Sequence, residues 1–196
     1  EFFEQPWYNL GIWIHSKVVF DRLLVADGGL VPTGCSACES YDLAPDGMSL
    51  TFKLRDGLTW HDGDDFTVED VAWSIRTAIK APRIHSVVVN TVNSIKGAEA
   101  FKNGSTDDVA GIKYSIADRT ITLEMATLDP NILTTFSQFA ILPKHKLGDV
   151  DPNQLQQSDF WQMPVGSGPF KVTEVKMNDF AKLVPFDNYH GGKAGF

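Results

Sequence analysis

The chain has 196 residues, of which 43% are hydrophobic, and its formal net charge is −8 because 25 acidic residues outnumber 17 basic ones. This content suffices for one domain with a buried core, whereas the scattered basic residues disfavour nucleic acid as a partner. No run of 18 apolar residues occurs, so no segment is predicted to span a membrane.

The first predicted element is a helix over residues 12–25, which ends at the turn signal Asp27-Gly28. Cys35 and Cys38 follow as a lone C-x-x-C. Because no second pair and no histidines at metal-ligand spacing accompany them, we predict neither a zinc site nor any other metal site or cofactor. Buried thiols and a short local disulfide are the two alternatives for this pair.

Residues 48–54 alternate apolar and polar side chains between two Asp-Gly turns, which predicts a strand paired with residues 41–43. The period then changes to that of a helix. Thr67 has the position of an N-cap and Asp70 that of its capping-box partner, and Pro82 ends the pattern. The sequence therefore predicts a hairpin followed by an amphipathic helix.

The second half of the chain continues with helices and hairpins. Residues 86–95 suit a helix or a strand, because three consecutive valines fit both. The remaining predicted elements are a helix over 97–102, a hairpin of 111–116 with 120–126, a helix starting at Asp129-Pro130, and an antiparallel pair of 170–174 with 180–184. This mixture predicts an α/β (mixed α+β) fold with a mixed sheet.

Two places could suggest catalysis. His61 stands beside Asp62, but neighbouring strand residues point to opposite faces and Asp62-Gly63 is accounted for by a turn. Ser167 lies in a Gly-Ser-Gly loop that lacks the G-x-S-x-G spacing of a nucleophile elbow. We therefore expect no enzyme, and we retain an exported hydrolase using His61 or the Ser167 loop as an alternative.

Several blocks of the sequence resemble one family. Residues 43–75, LAPDGMSLTFKLRDGLTWHDGDDFTVEDVAWSI, closely resemble the signature block of the family 5 extracellular solute-binding proteins, the peptide- and nickel-binding components of ABC importers. Residues 19–25, 141–145, 164–172 and 188–193 are similar to four further blocks, and all five occur in the family's order. Their order makes the resemblance strong, although each block alone is weak.

The resemblance implies lobe I of a type II periplasmic-binding-protein fold with an extra subdomain at about residues 45–165. Chains of the family are much longer and have two lobes, so residues 1–196 correspond to a first-lobe fragment without the second lobe. The implied function is capture of a small solute, most commonly a peptide, and its delivery to a membrane permease. The implied location is the periplasm, or the outer face of the membrane for an exported lipoprotein. A sensory binding module is a further alternative.

The resemblance also indicates where a solute would be contacted. In the family, the segment corresponding to residues 7–17 lines the cleft between the lobes, as do those corresponding to 83–86 and 135–139. Aromatic faces exclude water from such a cleft, and polar side chains orient the solute. The predicted ligand-binding residues are Trp7, Trp13, His15, Ser16, Lys17, His85, Ser137 and Gln138.

Overall fold

Hairpins and helices alternate along the computed structural model, which describes residues 3–8, 14–176 and 179–192, without the side chains of residues 14–16. The strands in those ranges are β1 (Leu24–Ala26), β2 (Pro32–Cys35), β3 (Cys38–Leu43), β4 (Ser49–Leu54), β5 (Ile112–Ser115), β6 (Thr120–Glu124), β7 (Phe170–Lys176) and β8 (Phe180–Pro185). The helices are α1 (Ile14–Val19), α2 (Val68–Lys80), α3 (Ser86–Asn93), α4 (Ala98–Lys102), α5 (Ile132–Gln138) and α6 (Lys144–Leu147), with 3₁₀ turns at Pro152–Gln157 and Asp159–Gln162. No helix in the described ranges is long and apolar enough to cross a bilayer.

The largest sheet contains the two predicted hairpins, in the order β3-β4-β6-β5. Leu50, Phe52 and Leu54 are buried on one face of β4, as the alternation predicted. Phe52 lies opposite Ile121 of β6, which is also buried. The sheet therefore turns one apolar face to the core, and both hairpin predictions are confirmed.

The mixed sheet that we expected is not formed by the described strands. β1 pairs with β2, and β7 pairs with β8, in two further two-stranded sheets. Every pairing between described strands is antiparallel. Four of these five pairings join consecutive strands across short connections, which favour antiparallel neighbours, and β4 and β6 meet as the inner strands of the two hairpins.

Helix α2 begins with the predicted capping box. The Thr67 hydroxyl accepts from the Glu69 amide at 3.2 Å, and the Asp70 carboxylate accepts from the Thr67 amide at 2.9 Å. Burial raises the pKa of Asp70, while its hydrogen bonds from the Thr67 and Lys144 amides oppose that shift. The same carboxylate accepts from the Lys144 amide at 3.0 Å, so the cap also fixes the start of α6.

The predicted helix over residues 12–25 is wrong in its second half. Helix α1 ends at Val19, and the chain then becomes strand β1. Leu24 lies opposite Cys35 of β2, and Arg22 forms an isolated bridge with Ala140. A run of leucines and valines suits a helix or a strand, and here pairing with distant segments decides in favour of the strand.

The structure shows where two further helices begin. Residues 86–93 form helix α3, whose N-cap is His85, so the helical alternative for this stretch is correct. Helix α5 starts later than predicted, at Ile132 with Asn131 as N-cap, and the Asp129 carboxylate accepts from the Asn131 amide at 2.9 Å. The first turn of that helix is therefore organised by Asp129 from outside the helix.

Candidate functional site

A concave surface of about 260 Å³ lies where α1, β1, the end of α5 and the segment after β8 meet. We call it the Asp21 concavity. It is lined by Lys17, Asp21, Arg22, Leu24, Val25, Ala26, Asp27, Leu30, Ser36, Ser137, Gln138, Pro169 and Tyr189. Its wall combines apolar strand residues with charged, hydroxyl and amide groups, and polar groups of this kind orient a ligand in a binding site.

Asp21 is the centre of the polar wall. Its Oδ1 accepts from the Ser36 hydroxyl at 2.6 Å and from the Arg22 amide at 2.8 Å. Its Oδ2 accepts from His190 Nε2 at 2.5 Å. The side chain is only 6% exposed, so these bonds replace the water that a buried carboxylate loses. Asp21 therefore anchors three segments of the wall to one another.

Arg22 joins the wall to α1 and α5. Its Nε donates to the Gln138 carbonyl at 3.2 Å, and its Nη1 donates to the carbonyls of Phe20 and Lys17 at 3.3 and 3.4 Å. Burial lowers the pKa of Arg22, and the neighbouring Asp21 carboxylate opposes this shift. A guanidinium stays protonated at neutral pH even so, and its charge therefore lies beside the concavity.

The cysteine pair forms a disulfide between the end of β2 and the start of β3. The turn that it closes is held to the β1 segment, because the Ser36 and Ala37 amides donate to the Leu23 and Arg22 carbonyls at 2.9 and 3.0 Å. Of our two alternatives for these cysteines, the local disulfide is correct. It also positions Ser36, whose hydroxyl reaches Asp21.

Three of the predicted ligand-binding residues lie in the wall of the concavity, although they come from distant segments. Lys17 is exposed at the end of α1, and Ser137 and Gln138 end α5. The Ser137 hydroxyl donates to the Thr134 carbonyl at 2.7 Å, and Gln138 Nε2 donates to the Ser137 hydroxyl at 3.3 Å. The fold therefore brings these three side chains together, and their contact with a solute stays a prediction.

Trp7 and His85 lie elsewhere. Trp7 is fully buried, with its ring stacked 5.0 Å from that of Phe139 and its Nε1 donating to the Ala140 carbonyl at 2.8 Å. His85 is exposed, and its Nδ1 accepts from the Val87 amide at the start of α3. Neither residue is among those that line the Asp21 concavity. Solute contacts for both stay predictions.

The structure does not describe the side chains of the three other predicted ligand-binding residues. Trp13 lies outside the described residues. His15 and Ser16 belong to α1, but their side chains are outside the described part of the chain.

The sequence patterns did not single out Asp21, Arg22, Ser36, Tyr189 or His190 as site residues. Burial raises the pKa of Tyr189, and the adjacent Asp21 carboxylate adds to this, so the phenol keeps its proton at neutral pH. Asp21 and His190 belong to the first and last of the five resembling blocks. Their place in these blocks was the one sequence signal that could have identified the pair, because no local pattern links positions 169 residues apart.

His61 and Ser167 are engaged in structural bonds. His61 Nδ1 accepts from the Gly166 amide at 3.2 Å, and its Nε2 donates to the Gly168 carbonyl at 2.9 Å. The Ser167 hydroxyl accepts from the Asp21 amide at 3.3 Å. Each ring nitrogen of His61 thus contacts backbone, which leaves neither to act as a base toward Ser167.

A second polar cluster lies at the surface beside α6. His145 Nε2 is 2.9 Å from an Asp62 oxygen and 3.4 Å from an Asp64 oxygen, and these atoms are close enough to share one metal ion. Lys146 Nζ also lies 2.9 Å from Asp62. Although burial acts to raise the pKa of Asp62, hydrogen bonds from Lys146 and His145 lower it to about 2. His145 and Lys146 of α6 both bond Asp62 beside Gly63, so we assign the cluster a role in tying this turn to α6.

Comparisons with known proteins agree with the resemblance. The family model "Bacterial extracellular solute-binding proteins, family 5 Middle" matches residues 36–196. The chain is 29% identical over 160 residues to the oligopeptide-binding protein AppA of Bacillus subtilis, covering 81% of this chain and 26% of AppA. It spans 26–30% of the length of such curated relatives.

Solved structures show the same likeness. The structure of Bacillus subtilis AppA in complex with a nonapeptide superposes with a TM-score of 0.72 at 25% identity, covering 89% of this chain and 32% of AppA. NikZ of Campylobacter jejuni, in complex with Ni(L-His), gives a TM-score of 0.76 at 22% identity, covering 96% of this chain and 34% of NikZ. At that identity, the second likeness concerns the fold alone.

Proposed function

Because this chain belongs to the bacterial extracellular solute-binding proteins of family 5, we propose that it forms the first lobe of a two-lobed solute receptor. In this proposal, residues 45–165 include the extra subdomain, and the second lobe belongs to a longer parent protein. The Asp21 concavity is the first lobe's share of the cleft that closes on the solute.

One observation carries this proposal. Lys17, Ser137 and Gln138 belong to two segments more than a hundred residues apart, and both segments correspond to cleft-lining parts of the family. The fold brings them into one concave wall with Tyr189 and the buried Asp21. An ammonium, a hydroxyl and an amide on a rigid wall suit a ligand with polar backbone groups, such as a peptide.

Peptide is the solute class we propose. The relative with 29% identity is named an oligopeptide-binding protein, and its solved structure contains a nonapeptide. The nickel–histidine complex belongs to a protein that resembles this chain in fold alone. The Asp21 concavity offers hydrogen-bonding groups for a peptide and no cluster of histidines for a metal among its described lining residues.

The proposed mechanism is capture without chemistry. A solute that touches both lobes favours the closed state by the free energy of those added contacts, and the closed form docks on a membrane permease. The isolated first lobe lacks half of the contacts, so it binds weakly. The receptor would work outside the cytoplasmic membrane, in a periplasm or as an exported lipoprotein. The engagement of His61 and Ser167 with backbone supports a binding protein over a hydrolase.

Calorimetric titration with a peptide library tests this proposal. The complete parent protein is expected to bind at least one peptide, and Lys17→Ala or Gln138→Ala should weaken binding about 5- to 150-fold, since one lost hydrogen bond to a charged or amide group costs about 1–3 kcal/mol. Lys102→Ala and Gln154→Ala are the matched controls, because both side chains are exposed and do not line the concavity. Absence of heat with every peptide would refute peptide as the solute. Equal affinity of all four variants would refute the concavity as the site.

A further inference from the structure

The loop of residues 166–168 is clamped between His61 and the end of α1. The His61 amide donates to the Gly166 carbonyl at 2.8 Å, and the Gly168 amide donates to the Val19 carbonyl at 2.8 Å. A Cβ added at Gly166 would lie 1.9 Å from the Val19 carbonyl oxygen. Only glycine permits this approach, so the loop and the end of α1 pack backbone against backbone.

The His61 ring holds the other side of the loop through both of its nitrogens. Nδ1 accepts from the Gly166 amide, and Nε2 donates to the Gly168 carbonyl. An amide N–H can only donate, so Nδ1 must carry no proton. In a doubly protonated ring, the Nδ1–H would point at the N–H of Gly166, and neither group could accept a hydrogen bond. The observed geometry therefore requires the neutral ring.

The clamped loop reaches the Asp21 concavity directly. The Ser167 hydroxyl accepts from the Asp21 amide at 3.3 Å, and Asp21 lines the concavity. The Gly168 amide donates to the carbonyl of Val19, which lies two residues before Asp21 in the chain. His61 is thus linked to the wall through one short loop, although it does not line the wall itself.

The surroundings of the ring also favour its neutral form. Burial is the main cause that lowers the pKa of His61 to about 4, with the Lys171 ammonium adding to it and the Gly168 carbonyl and Asp62 carboxylate opposing it. The Phe186 ring packs edge-on at 4.9 Å and contributes no charge. These are the groups that face His61 from its own turn, from the 166–168 loop, and from β7 and the residue after β8.

We propose that His61 is a positioning residue for the Asp21 concavity, and that its protonation releases the 166–168 loop and loosens the wall. A proton from solvent binds Nδ1, the Gly166 amide loses its acceptor, and the Ser167 and Gly168 contacts with residues 19–21 are freed with the loop. The inference rests on the proposed function only in treating this wall as a solute surface. In the proposed receptor, protonation of His61 at acid pH would therefore weaken solute binding.

Hydrogen exchange measured by NMR on this 196-residue chain tests the clamp without any solute. After correction for intrinsic exchange, the protection of the Asp21 and Gly168 amides should fall about 100-fold between pH 7.5 and pH 4, since each unit of pKa difference between the clamped and released ring is worth tenfold in the opening equilibrium. His61→Gln keeps an acceptor and a donor on a group that does not titrate, so its protection should stay flat over this range.

His190→Gln is the matched control, because it replaces a second histidine that bonds Asp21, through the carboxylate and not through the 166–168 loop. The proposal requires the fall in amide protection between pH 7.5 and pH 4 to persist in this variant. It is overturned if protection in the unsubstituted chain does not change over this range. It is also overturned if the fall persists in His61→Gln or disappears in His190→Gln. Where His61→Gln does not fold, NMR titration of the His61 ring in the unsubstituted chain decides, and a midpoint near pH 6.5 overturns the proposal. Failure to bind peptides would refute the proposed function and leave these exchange results unchanged.

Discussion

Asp21 and His190 lie 169 positions apart in the sequence, and Asp21 Oδ2 and His190 Nε2 lie 2.5 Å apart in the structure. Asp21 follows α1, and His190 follows the last strand, β8. Both side chains are largely buried, 6% and 14% exposed. This bond therefore fastens the two ends of the described fold together beside the candidate site.

Asp21→Ala should destabilise the chain by about 3 kcal/mol, because it leaves His190, Ser36 and the Arg22 amide without their shared acceptor. The free energy of unfolding is measured by urea denaturation at pH 7. Asp179→Ala is the control: it removes the exposed pair with Lys176 and should cost no more than about 1 kcal/mol. Equal losses in the two variants would show that Asp21 is no anchor.

Gly166→Ala should cost about 3 kcal/mol or prevent folding, because the new methyl group would meet backbone that cannot move aside. Gly34→Ala is a suitable comparison, since a Cβ there meets no atom within 4 Å. We expect the two midpoints of urea unfolding to differ widely. A stable Gly166→Ala chain with an unchanged midpoint would contradict the close approach to Val19.

Stability should fall with acid, in a range set by His61. The pKa of this ring is lowered from the ordinary value of 6.5 to about 4, chiefly by burial. The unfolded ring therefore binds a proton before the folded one does, so the stabilising contribution is complete above pH 6.5 and is lost as the pH falls to 4. The loss amounts to about 3 kcal/mol. Urea unfolding across this range should give a steeper fall for the unsubstituted chain than for His61→Gln, and parallel curves would disprove the assignment.

Removal of the disulfide should cost about 2 kcal/mol, the chain-entropy value for a short closed loop. The double substitution Cys35→Ser with Cys38→Ser should lower the free energy of unfolding by this amount. A reductant should have the same effect on the unsubstituted chain and no effect on the double variant. If the reductant shifts both proteins equally, the disulfide contributes nothing to stability.

Prediction from the sequence succeeded where the signals are local. The capping box of Thr67 and Asp70 and the alternation in β4 depend on residues within a few positions of each other, and both are present. The helix expected over residues 12–25 was wrong after Val19, because the pairing of Leu24 with Cys35 overrides a pattern that suits either state. Local propensity is a weak guide wherever long-range pairing competes with it.

The candidate site was predictable only in part, and only through the family resemblance. Lys17, Ser137 and Gln138 were selected in that way, and the fold brings them together. Asp21 was missed because a buried carboxylate is identified by its partners, and neither Ser36 nor His190 is a neighbour of Asp21 in the sequence. The role of His61 was hidden for the same reason, since its donor and acceptor partners lie more than a hundred residues away.

The most direct measurement is a crystal structure of the complete receptor that we propose, purified with its natural solute. We expect a peptide held between two lobes, with Lys17 or Gln138 within hydrogen-bonding distance of it and the Asp21–His190 bond intact. A solute bound away from the Asp21 concavity, or a second lobe that closes on another face of this chain, would contradict the account.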